Sequence, residues 1–439
     1  MRHRCAGRCG VPWLVLVVLL IVVALEPVGS RAKRSAPKKK QHARRPVPLR
    51  DAAGACVQPW QDPNPTHFFP RCDVDELTAE QLTPALFAEK YSLQRPFILR
   101  NATDNADARQ FLADRCDILE RFGDVQVDLG DPFSLVVHGR PSSSTSLREY
   151  LDTPFDVSAP LYFFDRFGRW TEHLGELGSL LETPAALQLH PKDADAPIIF
   201  AIGKTGSGIG LHAHQDAWNQ VLFGAKRWTL YPGSPGGVPP EAGYNPTEPH
   251  LQWLKDTYPV VKDGVNRPLE CIQRAGDVIY VPEGWYHATV NLGDTAAIAR
   301  RTEEFTAGSP REIGGRAITA VMHKEHDQAV LLAEEARRLD PREGDHAISL
   351  GHALDGAGRR NEARAAFQRA VELMPRNPGA YLTFGKLLNQ VGDHRAARGT
   401  LSKGNELINT AGEDNPLAKA LVDELAKARK ALAKQKQEL

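Results

Sequence analysis

The chain has 439 residues, and its 54 Lys plus Arg balance 54 Asp plus Glu. That neutrality gives no bulk electrostatic footprint for nucleic-acid binding. With 42% apolar and 25% charged residues, the composition also argues against a mostly disordered chain and leaves room for two or three folded domains.

Residues 1–30 open on Arg2, Arg4 and Arg8, run without interruption through apolar residues from Trp13 to Leu25, and close on small residues at Val28, Gly29 and Ser30. This is the layout of a secretory signal peptide, because the apolar run falls short of the about 20 residues a membrane span requires. An uncleaved signal-anchor is the alternative. In either case the remainder is expected to be lumenal, with no membrane span once the signal is removed. Residues 31–50 form a basic linker around RAKRSAPKKKQHARRP and read as a solvated tether.

Past the leader, Cys56, Cys72, Cys116 and Cys271 make an even set in an oxidising compartment, so one or two disulfides are expected. Cys56–Cys72 is the local choice, with three pairings open. Asn101, in NAT, is an N-glycosylation acceptor.

Residues 51–305 are rich in aromatic, Gly and Pro residues. Short runs such as RPFILR, PIIFAI, KRWTLYP and DVIYVP alternate with turn signals, which predicts a β-rich sandwich or barrel. Residues 306–316 read as a linker. From 317 to 410 the chain turns to Ala, Leu, Arg and Glu at helical periodicity, and it repeats. Pro341 recurs at Pro375, Gly351 at Gly385, Gly358 at Gly392 and Ala363 at Ala397, each at an offset of 34 residues. An all-α domain with that period resembles the tetratricopeptide repeat, whose concave groove holds peptides or partner proteins. Residues 411–439 supply a capping helix and the tail KQEL (Lys436 to Leu439), similar to the Lys-Asp-Glu-Leu signal for retrieval to the endoplasmic reticulum.

The chemistry lies in the β-rich half. In GLHAHQDAWNQ, His212, His214 and Asp216 occupy alternate positions, and alternate side chains of a strand share a face. Far downstream, GDVIYVPEGWYHATVN carries His287. Two ligands from one strand and a third from a distant strand make a facial set that leaves the other side of an ion open. The spacing of Gly276, Pro282, Gly284, His287 and Asn291 matches the second motif of the cupin superfamily, and Gly206, His212 and His214 match the opening of the first. The expected fold is therefore a mainly β double-stranded β-helix followed by the repeats.

The surroundings PLYFFD, GSGIGLH, WNQVLFGAKRWTLYP and GWYHATVNL resemble the JmjC group of iron and 2-oxoglutarate dioxygenases, the small hydroxylase-type members above all. The resemblance implies Fe(II), or another divalent metal, on His212, His214 and His287. It implies 2-oxoglutarate as co-substrate, with Lys226 pairing with the distal carboxylate and Tyr162 and Asn219 assisting. Most such enzymes read His-x-Asp where this chain reads His212-Ala213-His214, so Asp216 stays in reserve as a carboxylate ligand beside His214 and His287. A three-His set also suits zinc, copper or nickel. Arg300 and Arg301 stand where the group carries small or amide residues.

Two readings follow. One is a lumenal protein hydroxylase whose repeats present the substrate; the other is an inactive JmjC-fold adaptor acting through its repeats. The segment GKTGSG (203–208) lacks the first Gly of a phosphate loop, since position 198 is Ile. His190, His250, His323 and His326 are expected to be ordinary surface residues.

Overall fold

The structure is a computed structural model that describes residues 48–63, 71–102, 105–131, 135, 142–165, 176–187, 198–233, 237–302, 305–408 and 415–437. The signal segment, most of the basic linker, Thr103 of the sequon, His190 and the last two residues of the tail lie outside the described residues.

The runs of alternating and β-branched residues become ten strands among the described residues. They are β1 (Asp75–Leu77), β2 (Phe97–Leu99), β3 (Gln126–Gly130), β4 (Ser143–Ser146), β5 (Tyr162–Asp165), β6 (Ile199–Gly203), β7 (Ala217–Tyr231), β8 (Leu269–Arg274), β9 (Val278–Val281) and β10 (Tyr286–Arg301). The strands run in the order β1-β2-β9-β7-β10-β6-β5-β3-β4, and β8 adds to β7. The spine is the antiparallel pair β7 and β10, matched from Tyr286 opposite Tyr231 to Arg301 opposite Ala217.

That ladder slips between Leu292 and Ala297. Opposite the slip, Gly224 adopts φ +78°, and a β-carbon there would lie 2.2 Å from the carbonyl oxygen of Asp294. Only glycine fits such a bulge, and the bend lets each long strand take different neighbours along its two halves. One end of β7 pairs with β9 and the other with β8. Residues 206–212 run beside the first half of β10, with Gly206, His212, His287, Thr289 and Asn291 exchanging backbone hydrogen bonds. The sheet thus rolls on itself as a double-stranded β-helix.

The outer face of the rolled sheet buries Phe97, Phe163, Phe200, Trp218 and Tyr280. Against them pack Ala108, Leu119 and Leu147 from helices Ala106–Phe111, Arg115–Phe122 and Leu147–Asp152. Each large side chain so buried contributes roughly 1.5–3 kcal/mol. Two disulfides hold the front of the chain, Cys56–Cys116 and Cys72–Cys271, separated by 60 and 199 residues. The local bridge Cys56–Cys72 does not form. Cys56 is drawn to the helix Arg115–Phe122 and Cys72 to β8, so the rolled sheet chooses the partners.

The C-terminal region holds seven helices among the described residues: α1 (Pro310–Met322), α2 (His326–Leu339), α3 (Gly344–Gly356), α4 (Arg360–Leu373), α5 (Pro378–Gln390), α6 (His394–Glu406) and α7 (Pro416–Gln437). The starts at 310, 344 and 378, and those at 326, 360 and 394, are each 34 residues apart, so α1 to α6 form three helix pairs of one period. Helix α1 starts inside the stretch expected to be linker. The Ser309 hydroxyl accepts from the Glu312 amide and Pro310 follows it, which caps the helix despite Gly314 and Gly315. No helix of the described residues is long and apolar enough to cross a membrane.

Candidate metal centre and buried lysine

The strand segment 206–212 and the start of β10 form an antiparallel bridge at His212 and His287, with reciprocal backbone hydrogen bonds of 3.0 and 2.8 Å. Two residues on, His214 joins them. The ring centroids lie 4.3 Å apart for His212 and His287, 4.7 Å for His214 and His287, and 5.2 Å for His212 and His214. One nitrogen from each of the three falls within 4.8 Å of the others.

The backbone decides which nitrogen that is. His212 Nδ1 lies 2.8 Å from the Gly210 carbonyl, His214 Nδ1 2.7 Å from the Gln215 carbonyl, and His287 Nδ1 2.9 Å from the Trp285 carbonyl. A carbonyl only accepts, so each Nδ1 carries the proton and donates, leaving three Nε2 lone pairs. Burial reinforces the neutral form. It lowers His287 to about 4, and it holds His214 well below the usual range, helped by His287, His212 and Arg301. Three neutral imidazoles presenting lone pairs to one point are a ready cation site.

Asp216 does not belong to this cluster. The chain bends at Gln215 and Asp216 before β7 begins, which ends the alternation assumed for a straight strand. Buried there, Asp216 accepts from the Tyr280 hydroxyl at 2.9 Å and from the Glu283 amide at 2.8 Å. It pins the turn that leads to His287 instead of facing the ion site.

Deeper in the barrel lies Lys226, 2% exposed. Its ammonium donates to Asn291 Oδ1 at 2.8 Å and to the Tyr162 hydroxyl at 3.1 Å, both neutral partners. Asn291 in turn donates to the Ser207 hydroxyl at 3.0 Å. Burial lowers Lys226 to about 7. Among the described residues it has no carboxylate partner. Asn219 lies on the same inner face by register, opposite Ala299, and its buried Oδ1 has no hydrogen-bond partner. A buried ammonium with only neutral contacts and an orphaned amide oxygen are what an occupant's carboxylate and a polar hydrogen would satisfy.

Register places Arg301 opposite Ala217, on the Asn219 side, while Arg300 lies opposite Trp218 on the other face. The sequence marks Asn291 only as a motif position, with no role at the site, and does not single out Trp228. Asn291 lies four residues from His287 on the same strand, hence on its face. Trp228, two residues beyond Lys226, walls the site, with its ring 5.9 Å from His287 and its indole donating to Gln273 at 2.7 Å. Parity counted from His287 and Lys226 would have found both. His250 is a correction of another kind. It is buried, bonded through Nε2 to the Thr229 hydroxyl at 2.8 Å and stacked on Trp253, and burial lowers it to about 3.

A rolled barrel that turns convergent imidazoles and one sealed ammonium toward its interior is an oxygenase-type cupin. Residues 212–301 match the JmjC domain, described as hydroxylase. The chain belongs to the JmjC domain family. It is 34% identical over 239 residues to JmjC domain-containing protein 8 of Homo sapiens, covering 52% of this chain and 83% of that protein. It is also 37% identical over 106 residues to the 2-oxoglutarate and iron-dependent oxygenase JMJD4 of Danio rerio, covering 22% of this chain and 24% of that protein. The crystal structure of the Sgt2 TPR domain from Aspergillus fumigatus matches 29% of this chain and 82% of that one, at 18% identity and a TM-score of 0.27. The repeat assignment rests instead on the equal spacing of the helix pairs.

Proposed function

We propose that this chain is an iron(II)- and 2-oxoglutarate-dependent oxygenase of the endoplasmic reticulum lumen that hydroxylates a protein side chain. The observation that carries the proposal is the combination of three Nε2 lone pairs converging on one point with a buried lysine that has only neutral partners. His212, His214 and His287 would hold the metal. Lys226, assisted by Tyr162, would hold the distal carboxylate of the co-substrate, and Asn219 would take a polar contact nearer the mouth. When bound, iron and 2-oxoglutarate supply the oxidant: one atom of O2 enters a C–H bond of the substrate and the other enters succinate as CO2 leaves.

The protein's own contribution is orientation and exclusion. The three backbone carbonyls keep each imidazole in its ligating tautomer. Trp228 and the surrounding buried residues keep water from the inner wall of His287. The helix pairs α1 to α6 would present the substrate polypeptide or a partner. A lumenal setting is supported by the signal-peptide layout of residues 1–30, the KQEL tail, the two disulfides and the exposed Asn101 of the sequon.

A second reading draws on the ligand set itself. Three imidazoles without a carboxylate suit zinc as well as iron, and a chain holding zinc, or no metal, would act as an adaptor through its repeats. Succinate formation separates the two. The lumenal chain, purified anaerobically and supplied with Fe(II), 2-oxoglutarate and then air, is expected to release succinate, and His287→Ala is expected to release none. Equal background in both proteins would favour the adaptor.

A further inference from the structure

The helix pairs meet the barrel through the turns that precede α3 and α5. Before α3, Glu343 is buried and accepts from the Tyr286 hydroxyl at 2.8 Å through Oε1 and from Arg311, near the start of α1, at 2.7 Å through Oε2. Tyr286 is the residue next to His287, and its ring packs 5.4 Å from that of Tyr244. Adjacent strand residues point to opposite faces. Holding the phenol on the outside therefore fixes the roll of β10 about His287 on the inside.

One repeat further on, Arg376 precedes α5 and donates to buried Glu248 at 2.7 Å and to the Thr257 hydroxyl. Glu248 presses on the other ligand strand. A β-carbon at Gly210 would lie 2.7 Å from the Glu248 carbonyl oxygen, so that loop rests directly on the backbone of Gly210. The carbonyl of Gly210 is the one that receives the Nδ1 proton of His212. Two consecutive repeat turns thus each bear on one ligand-carrying segment, and those two segments are the ones bridged at His212 and His287.

We propose that the repeats are part of the metal centre's frame, with Glu343 acting through Tyr286 on His287, and Arg376 acting through Glu248 and Gly210 on His212. These are positioning residues that set ligand geometry from outside the barrel, and the claim rests on the metal reading above. Groups that orient metal ligands change metal affinity by about 10- to 100-fold when removed.

The test is titration of the full-length lumenal chain with cobalt(II) alone, followed by its visible d–d absorption, with thermal unfolding of each metal-free protein recorded beside it. Tyr286→Phe removes one oxygen, keeps the ring and leaves the Arg311–Glu343 pair, so it stays folded. It is expected to weaken cobalt binding about tenfold and to alter the d–d spectrum. Arg376→Leu should do the same through the other segment, and Arg376→Lys should restore much of the affinity. Wild-type affinity and spectrum in folded Tyr286→Phe and Arg376→Leu would overturn the inference while leaving the metal site standing. If the wild-type chain binds no cobalt, the metal reading fails and the inference falls with it.

Discussion

Lys226 on β7 donates to Asn291, its register partner on the neighbouring strand β10, at 2.8 Å, and both residues are sealed from solvent. An ammonium in that position is destabilised by its own burial, and amide and phenol oxygens compensate only in part. A carboxylate entering the barrel would supply the missing charge. Lys226→Met should therefore weaken 2-oxoglutarate binding to the metal-loaded chain by at least about thirtyfold, the cost of leaving a buried charge unpaired. Calorimetric titration reads this directly, and an affinity within a few-fold of wild type would remove Lys226 from the co-substrate site.

The same lysine sets a pH dependence. Burial lowers it to about 7 in the chain without co-substrate, whereas pairing with an anion requires the charged form. Below pH 7 the ammonium is already present and affinity should be flat. Above pH 7 binding must take up a proton, so the dissociation constant should rise by up to about tenfold per pH unit. A dissociation constant that stays constant from pH 7 to pH 9 would contradict this assignment.

Asp216 gives a third expectation. It accepts from Tyr280 and the Glu283 amide, so Asp216→Ala should lower stability by about 1–3 kcal/mol. Cobalt(II) affinity should stay within about twofold of wild type. A large loss of metal affinity in the folded variant would return Asp216 to the ligand set.

How much of this was legible in the sequence varied with how local each feature is. His212, His214 and His287 stand at motif spacings, and the spacing survives into the rolled barrel because both segments are strand-like there. Asp216, held in reserve as a ligand, sits at a bend that two buried hydrogen bonds stabilise, and strand alternation does not carry through that bend. The pairing of the four cysteines stays open in the sequence for the opposite reason. Cys56 and Cys72 are near in sequence, yet their partners lie 60 and 199 residues away and meet them only after folding. The period of 34 was plain, whereas the start of α1 was hidden because Gly314 and Gly315 resemble a linker. The contacts of Glu343 and Arg376 with the barrel had no local signal, since each joins residues 57 or more positions apart.

Within the repeats, glycine positions divide by what surrounds them. A β-carbon at Gly351 would meet the Phe367 ring at 2.6 Å, so Gly351→Ala should cost about 1–3 kcal/mol through overpacking. Gly399 lies inside α6 with nothing within 4 Å of such a carbon, so Gly399→Ala should stabilise by about 1 kcal/mol. Thermal unfolding of the two variants should move in opposite directions. Equal shifts would contradict the helix-pair packing described above.

The most direct test of the central claim is an anaerobic calorimetric titration of 2-oxoglutarate into the Fe(II)-loaded chain, beside His287→Ala. A single saturable site in the wild type that vanishes in His287→Ala is the result expected if the three histidines and Lys226 form one co-substrate site. No saturable binding in the wild type, or equal binding in the variant, would contradict it.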